Sequence, residues 1–203
     1  MMKKPKNQKK EPPILAVVGA MAVGKNTLTN YLVQQHPVMA VEVGAFARQL
    51  FEEAANEKPF LDYDIAAKRL AQHGPEHVIE RLVSEMIENN YWETEALVIT
   101  GVRTPAEAAV LKDQFGSQML LAGIRMRDQN LRYERLLQRN LASDPENAQE
   151  IVQQDAELQA KYDLAETFNL TDITLWNDGS LEEFYQQIET HIVPFLFPDK
   201  SAN

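Results

Sequence analysis

The 203-residue sequence contains no cysteine. Disulfide staples and thiolate metal centres are therefore excluded, and the usage suits a reducing compartment. Long apolar runs are missing too. None approaches the roughly 18 residues that a membrane span requires, and the lysine-bearing N-terminus lacks the apolar stretch of a secretory signal. The expectation is a cytoplasmic chain with no membrane partner. Internal repeats are absent, and the four histidines show no metal-ligand spacing: His73 and His77 are four apart, but no third ligand accompanies them. A broad basic surface is also lacking. The net charge is −10, and because residues 1–11 hold five lysines against one glutamate, the remainder carries about −14. An acidic body repels polynucleotide backbones, so nucleic acid is an unlikely partner and any anionic ligand must meet a local basic pocket. Lys3, Lys4, Lys6, Lys9 and Lys10 stand among Pro5, Pro12 and Pro13 and read as a solvated, disordered leader over residues 1–13.

What is present suffices for one sizeable core, since 44% of the residues are hydrophobic. A single domain is expected over residues 14–195, followed by a tail over 196–203. Short apolar runs alternate with longer helix-period segments, the pattern of crossover units in a parallel sheet. The predicted strands are Ile14–Val18, Met39–Val43, Ala96–Thr100, Gln118–Ile124 and Asp172–Trp176. The predicted helices are Lys25–Gln35, Ala45–Asn56, Asp62–His73, Pro75–Asn90, Pro105–Phe115, Asp128–Leu141, Glu146–Thr167 and Leu181–Ile192. Pro75 and Pro105 suit a first helical turn, and Ser180 with Glu183 makes a capping box. The fold class expected is α/β, a three-layer sandwich around a five-stranded parallel sheet. Ligands in such folds gather beyond the carboxyl ends of the strands, which selects the loops after each strand for scrutiny.

The first of these loops is the most informative. Gly19-Ala20-Met21-Ala22-Val23-Gly24-Lys25 fits the Walker A pattern GxxxxGK between the apolar strand ILAVV and an amphipathic helix. Its glycines let the backbone curl so that successive amides, through Ala22, Val23 and Gly24, face phosphate oxygens, and the next helix adds its positive end. Lys25 would bridge the terminal phosphates. Asn26 occupies the place where a serine or threonine hydroxyl ordinarily meets magnesium; its amide oxygen can ligate the metal or a metal-bound water, and Thr27 would reach an inner phosphate.

With that loop in place, residues 14–190 resemble the dephospho-CoA kinase and nucleoside monophosphate kinase group of P-loop kinases, in particular its dephospho-CoA-kinase-like and deoxynucleotide-kinase-like branches. The pieces carrying the resemblance beyond the loop are Gly101-Val102-Arg103 with Pro105 and Glu107, then Arg132, Arg135 and Arg139 before Asp144-Pro145, and Asp172 with Asn177-Asp178-Gly179-Ser180-Leu181-Glu182. The resemblance implies a P-loop NTPase fold with a small helical lid over about residues 127–165. It implies that Arg103 holds the acceptor's phosphate, a task suited to a guanidinium fork. It also implies that Arg132, Arg135 and Arg139, on one helix face, descend on the donor nucleotide and the transferred phosphoryl group, and that Asn177 lies against the donor's adenine. As residues alone, the arginine stripe also fits a solvated face, Arg103 a surface pair with Glu107, and Asn177 to Ser180 an ordinary turn and cap.

Glu42-Val43-Gly44-Ala45-Phe46-Ala47-Arg48 is similar to the DxDxxAR stretch of dephospho-CoA kinases, with Gly44 at the second acidic position. The likeness implies that Glu42 takes a proton from an acceptor hydroxyl and that Arg48 grips the acceptor; a rim carboxylate or a magnesium-water ligand is the alternative for Glu42. Thr100 stands where many members of the group place the aspartate that holds magnesium through water. The expected function is ATP-dependent phosphoryl transfer, aided by Mg2+, to a nucleotide-like small molecule, a nucleoside or deoxynucleoside monophosphate or dephospho-CoA. The departures at Asn26 and Thr100 keep open a nucleotide-binding regulatory protein with weak or no turnover, possible carboxylate substitutes at the metal being Glu42, Asp62 and Asp64.

Overall fold

Ile14–Val18 (β1) has all five side chains at 0% exposure, because it is covered on both faces and flanked by strands on both edges. A continuous apolar run is what such a position selects. Its side chains divide by the strand's two-residue period. Ile14, Ala16 and Val18 enter one core, and Leu15 and Val17 the other. The computed structural model describes residues 12–56, 72–74, 76–89, 91–139 and 145–198. The expected helix Asp62–His73 falls almost wholly outside them, as does most of the leader.

Five strands form one parallel sheet: β1, Val38–Glu42 (β2), Ala96–Val102 (β3), Met119–Arg125 (β4) and Ile173–Trp176 (β5), in the order β2-β3-β1-β4-β5. The chain runs to one side of β1 for β2 and β3 and to the other for β4 and β5. The reversal point is therefore the carboxyl end of β1, where a crevice opens in doubly wound sheets.

On one face pack Lys25–Gln35 (α1), Leu181–His191 (α8) and Val193–Leu196 (α9), meeting β1 through Leu28, Leu32, Phe184, Ile188 and Leu196. The other face carries Val43–Asn56 (α2), His77–Glu88 (α3), Pro105–Phe115 (α4) and Leu164–Asn169 (α7), with Phe46, Leu50, Ile79, Leu82, Leu111 and Phe168 inward. Above the sheet stand Gln129–Arg139 (α5) and Ala148–Tyr162 (α6). The fold is thus the three-layer α/β sandwich with an all-parallel five-stranded sheet and helices over its carboxyl edge.

Two departures from the sequence expectation matter for the site. The helix expected over Glu146–Thr167 is two helices, because Asp163 adopts φ 50°, ψ 51° and ends α6. Aspartate is one of the few residues that tolerates this left-handed conformation, so no glycine marks the break. The break lets α7 turn down onto the sheet, where the Thr167 hydroxyl donates to the Arg103 carbonyl at 2.9 Å. Strand β3 also runs two residues past its expected end. Gly101 (φ 87°) makes a bulge there, shifting the register from Val17 opposite Thr100 to Val18 opposite Val102.

The start of α4 is secured by a capping box. Glu107 N–H donates to the Thr104 hydroxyl, and the buried Glu107 carboxylate accepts from the Arg103 and Thr104 amides at 2.6 and 3.1 Å. Burial pushes the Glu107 carboxyl upward, and those two amides pull against it. Thr104→Val should therefore destabilise the protein by about 1 kcal/mol, a fall in Tm of roughly 2–4 °C for a domain of this size by differential scanning calorimetry.

Candidate nucleotide and acceptor cleft

The loop from Gly19 to Gly24 rests on its outward carbonyls. Lys25 Nζ donates to Gly19 O and Ala20 O at 2.8 and 2.7 Å, Arg132 Nη1 to Met21 O at 3.3 Å, and Asn177 Nδ2 to Val23 O at 2.8 Å. Ala22 has φ 59° and Gly24 φ 109°, so the curl takes two left-handed residues. At Gly24 any side chain would also strike the Asn177 amide. None of the amides from Ala20 to Gly24 has a hydrogen-bond partner among the described residues. Together with the unpaired amides at the start of α1, they form a concave set of donors suited to phosphate oxygens.

A cleft of about 1000 Å³ opens over this loop. Among the described residues it is lined by five cations, Lys25, Arg48, Arg103, Arg135 and Arg139, and by one carboxylate, Glu42, so a positive basin sits in an acidic protein. Each reaches it from a different element. Glu42 ends β2, and Arg48 lies one and a half turns into α2, its guanidinium 3.7 Å from the Glu42 carboxylate with both side chains about half exposed. Arg103 follows β3. Its guanidinium lies over the Tyr162 ring at 5.3 Å, with Nη1 3.5 Å from the Tyr162 hydroxyl. Gly44 leaves room for this meeting, since a Cβ there would stand 3.0 Å from both Arg103 Nη2 and Glu42 Oε1. The structure therefore brings Glu42, Arg48 and Arg103 together in the cleft that Lys25 also lines.

The three arginines of α5 do not act alike. Arg135 and Arg139 line the cleft, and Arg135 Nη1 also donates to Asn177 O at 3.0 Å. Arg132 is only 3% exposed: it forms an ion pair with Asp155 of α6, Nε donates to Gln129, and Nη1 reaches Met21 O. In this arrangement Arg132 is a strut between the loop and the two overlying helices. Asn177 braces the loop through its side chain while lining the cleft, and Asp178 accepts from the Arg127 and Asp128 amides ahead of α5. Sequence reasoning missed Asp155, Tyr162 and Gln154. They lie on α6, inside what reads in sequence as one continuous helix over Glu146–Thr167, so spacing offered no signal for which of its residues meet the cleft.

Oxygen donors for a magnesium ion are present but sparse. Asn26 is exposed at the helix start, and Asn26, Thr27 and Glu42 all line the cleft. Thr100 is 4% exposed inside β3, with Glu42 opposite it on β2. Among the described residues no three histidine or acidic side chains converge as a metal site, and Asp62 and Asp64 lie outside those residues. Two neutral oxygens and one carboxylate fit a magnesium ion that takes most of its ligands from phosphates and water.

Burial, with Arg103 close by, lowers the Lys25 ammonium to about 8, against the opposing pull of Glu42. Half a unit of pH around that value changes how much of the loop's own cation is charged.

No protein-family model matches the chain. It is similar to a UPF0200 protein of Methanopyrus kandleri, 26% identical over 187 residues and covering 92% of each chain. A UPF0200 protein of Thermococcus onnurineus is 23% identical over 187 residues, covering 90% of this chain and 98% of that one. Among solved structures, the sugar kinase from Janibacter superposes with a TM-score of 0.58 at 15% identity over 92% of this chain and 96% of that one. Dephospho-CoA kinase from Campylobacter jejuni gives 0.54 at 16% identity over 91% and 98%. TT1252 from Thermus thermophilus gives 0.56 at 20% identity over 89% and 96%. The chain has the fold of small-molecule P-loop kinases.

A bound polyphosphate favours the charged lysine, so affinity should be level below pH 8 and fall as Lys25 loses its proton above it. Isothermal titration of ATP between pH 7 and 10 should show this decline, up to about tenfold per pH unit, and Lys25→Arg should flatten it. Asn177→Ala should weaken ATP binding by about tenfold, as expected when a buried carbonyl loses its donor, with Tm lowered only slightly.

Proposed function

We propose that the protein is an ATP-dependent small-molecule kinase that transfers the terminal phosphoryl group to a nucleotide-like acceptor, a nucleoside or deoxynucleoside monophosphate or dephospho-CoA. What supports this reading is a cleft in which two sets of basic or amide groups meet, carried by segments that follow strands on opposite sides of β1. One is the amide-lined loop with Arg135 and Arg139; the other is Arg48 with Arg103. A nucleotide binder without an acceptor has no use for the second set.

In this reading ATP enters with its phosphates in the loop. Lys25 leaves the Gly19 and Ala20 carbonyls and donates to the β- and γ-phosphates, while Asn26 and Thr27 stand at the helix start. Magnesium, held by Asn26 and waters near Glu42, would supply charge neutralisation between the phosphates. Arg48 and Arg103 hold the acceptor's anionic group with its nucleophilic oxygen facing the γ-phosphorus. Residues about 127–165 serve as the lid: Arg135 and Arg139 cover the equatorial oxygens, and Arg132 fixes the lid's base to the loop. The acceptor oxygen forms the new bond to phosphorus as the bond to the bridging oxygen breaks, leaving ADP. A hydroxyl acceptor passes its proton to Glu42, whereas an ionised phosphate oxygen needs no base. Catalysis then rests on positioning and electrostatics.

A second reading is favoured by one observation. Thr100 is buried where many relatives of the group carry an aspartate, and Asn26 replaces the hydroxyl, so among the described residues lining the cleft the negative charge falls on Glu42 alone. On that reading the chain binds nucleotide as a regulatory or partner-binding protein and turns over poorly.

ATP consumption should be measured with magnesium over a panel of nucleoside and deoxynucleoside monophosphates, dephospho-CoA and simple phosphorylated metabolites. An acceptor-dependent rate is expected, reduced roughly 10²–10³-fold by Lys25→Met. Arg48→Met and Arg103→Met should each raise the acceptor KM by roughly tenfold or more with little change for ATP. Tight ATP binding without product for any acceptor would decide for the second reading.

A further inference from the structure

Arg125, at the end of β4, has no ionic partner among the described residues. Its guanidinium carbon lies 4.2 Å from the centre of the Phe168 ring, its Nε is buried with no hydrogen-bond partner, and no carboxylate among the described residues pairs with it. The pose is built by neighbouring positions. Gly123 lets Phe168 lie flat beside β4, since a Cβ there would stand 2.9 Å from the ring. Thr167, one residue earlier, anchors α7 to the Arg103 carbonyl. A partly buried cation held over an aromatic face with no counter-ion carries an uncompensated desolvation cost, which an arriving anion relieves.

Arg125 lines a second cavity of about 600 Å³, which adjoins the cleft above the phosphate loop and shares Ala20, Met21, Leu158 and Leu164 with it, and which is within the size range of small-molecule sites. Its walls are mainly apolar, from Met21, Ile124, Met126, Leu164 and Phe168. Its other buried charges cancel, because Arg132 and Asp155 form an ion pair with each other. One uncompensated cation at the edge of an apolar chamber, opposite a carboxylate already in use, favours one negative charge on an apolar body and disfavours a dianion.

We infer that this cavity is a second ligand site, taking a small amphipathic carboxylate whose anionic group meets Arg125 and whose aromatic or short aliphatic body packs against the two methionines and Phe168. The inference goes beyond the kinase reading and does not depend on it. The occupant would lie behind the Arg132–Asp155 strut, touching the flank of the phosphate loop at Ala20 and Met21 and the helix α6 at Ala156, Leu158 and Gln159. It therefore contacts both parts that enclose the nucleotide cleft without entering that cleft.

The test is a titration of the full chain with benzoate, octanoate and neutral benzyl alcohol, followed by two-dimensional NMR and calorimetry, with and without saturating ATP. At least one carboxylate should bind in preference to benzyl alcohol by tenfold or more and survive saturation with ATP. Its affinity should fall at least tenfold in Arg125→Met and in Ala156→Trp, the latter filling the mouth from an exposed position and so leaving the core intact if the former fails to fold. Absence of carboxylate binding would overturn the inference. So would binding retained in Ala156→Trp, or displaced by ATP, which would place the ligand in the cleft. A chain that binds carboxylate but not ATP would sink the kinase reading while leaving this site standing.

Discussion

Everything that gives this protein a site depends on how the backbone from Gly19 to Gly24 is held. A loop that offers its amides inward must turn its carbonyls outward, and an outward carbonyl inside a fold needs a donor. Three side chains from three parts of the chain supply them: Lys25 for Gly19 and Ala20, Arg132 for Met21, and Asn177 for Val23. The left-handed residues Ala22 and Gly24 are held in that curl by the bonds from Arg132 and Asn177, which do not depend on where the Lys25 ammonium points. Strand β1 contributes the fixed starting point, fully buried in the middle of the sheet.

That arrangement ties the overlying helices α5 and α6 to the loop. Arg132 reaches Met21 from α5 and Asp155 on α6, so the two overlying helices and the phosphate loop share one buried ion pair. Removing either partner leaves a charge in the interior, which is costly, whereas the intact pair mainly fixes geometry. Arg103 is held in the same way, its guanidinium against Tyr162 of α6 and its carbonyl taken by Thr167 of α7. The segment between β4 and β5 thus touches both halves of the cleft, and its break at Asp163 allows it to do so.

Charge works at two scales. The body of the chain is acidic, yet the cleft gathers five cations around one carboxylate. Such a contrast rejects extended polyanions while drawing small ones to one point. The same crowding lowers Lys25, since burial and the neighbouring Arg103 both oppose its charge. Glu42 opposes both effects.

Local pattern alone determined the sheet and the loop. The apolar run Ile14–Val18, the glycines at 19 and 24 and the lysine at 25 are short-range signals, and helices α1 and α4 fall at their expected bounds because caps and apolar spacing are also local. It likewise marked Glu42, Arg48, Arg103, Arg135 and Arg139, which the fold gathers around one cleft. What only tertiary structure decided were the partners. Arg132 lies on the same helix face as Arg135 and Arg139, yet it is turned to a structural task by Asp155, 23 residues away on α6. Asn177 became a brace because β5 ends beside the loop, 154 positions from Val23 in sequence. Spacing along a chain reports which residues share an element, but the choice between contacting a ligand and holding the site rests on neighbours that only folding supplies.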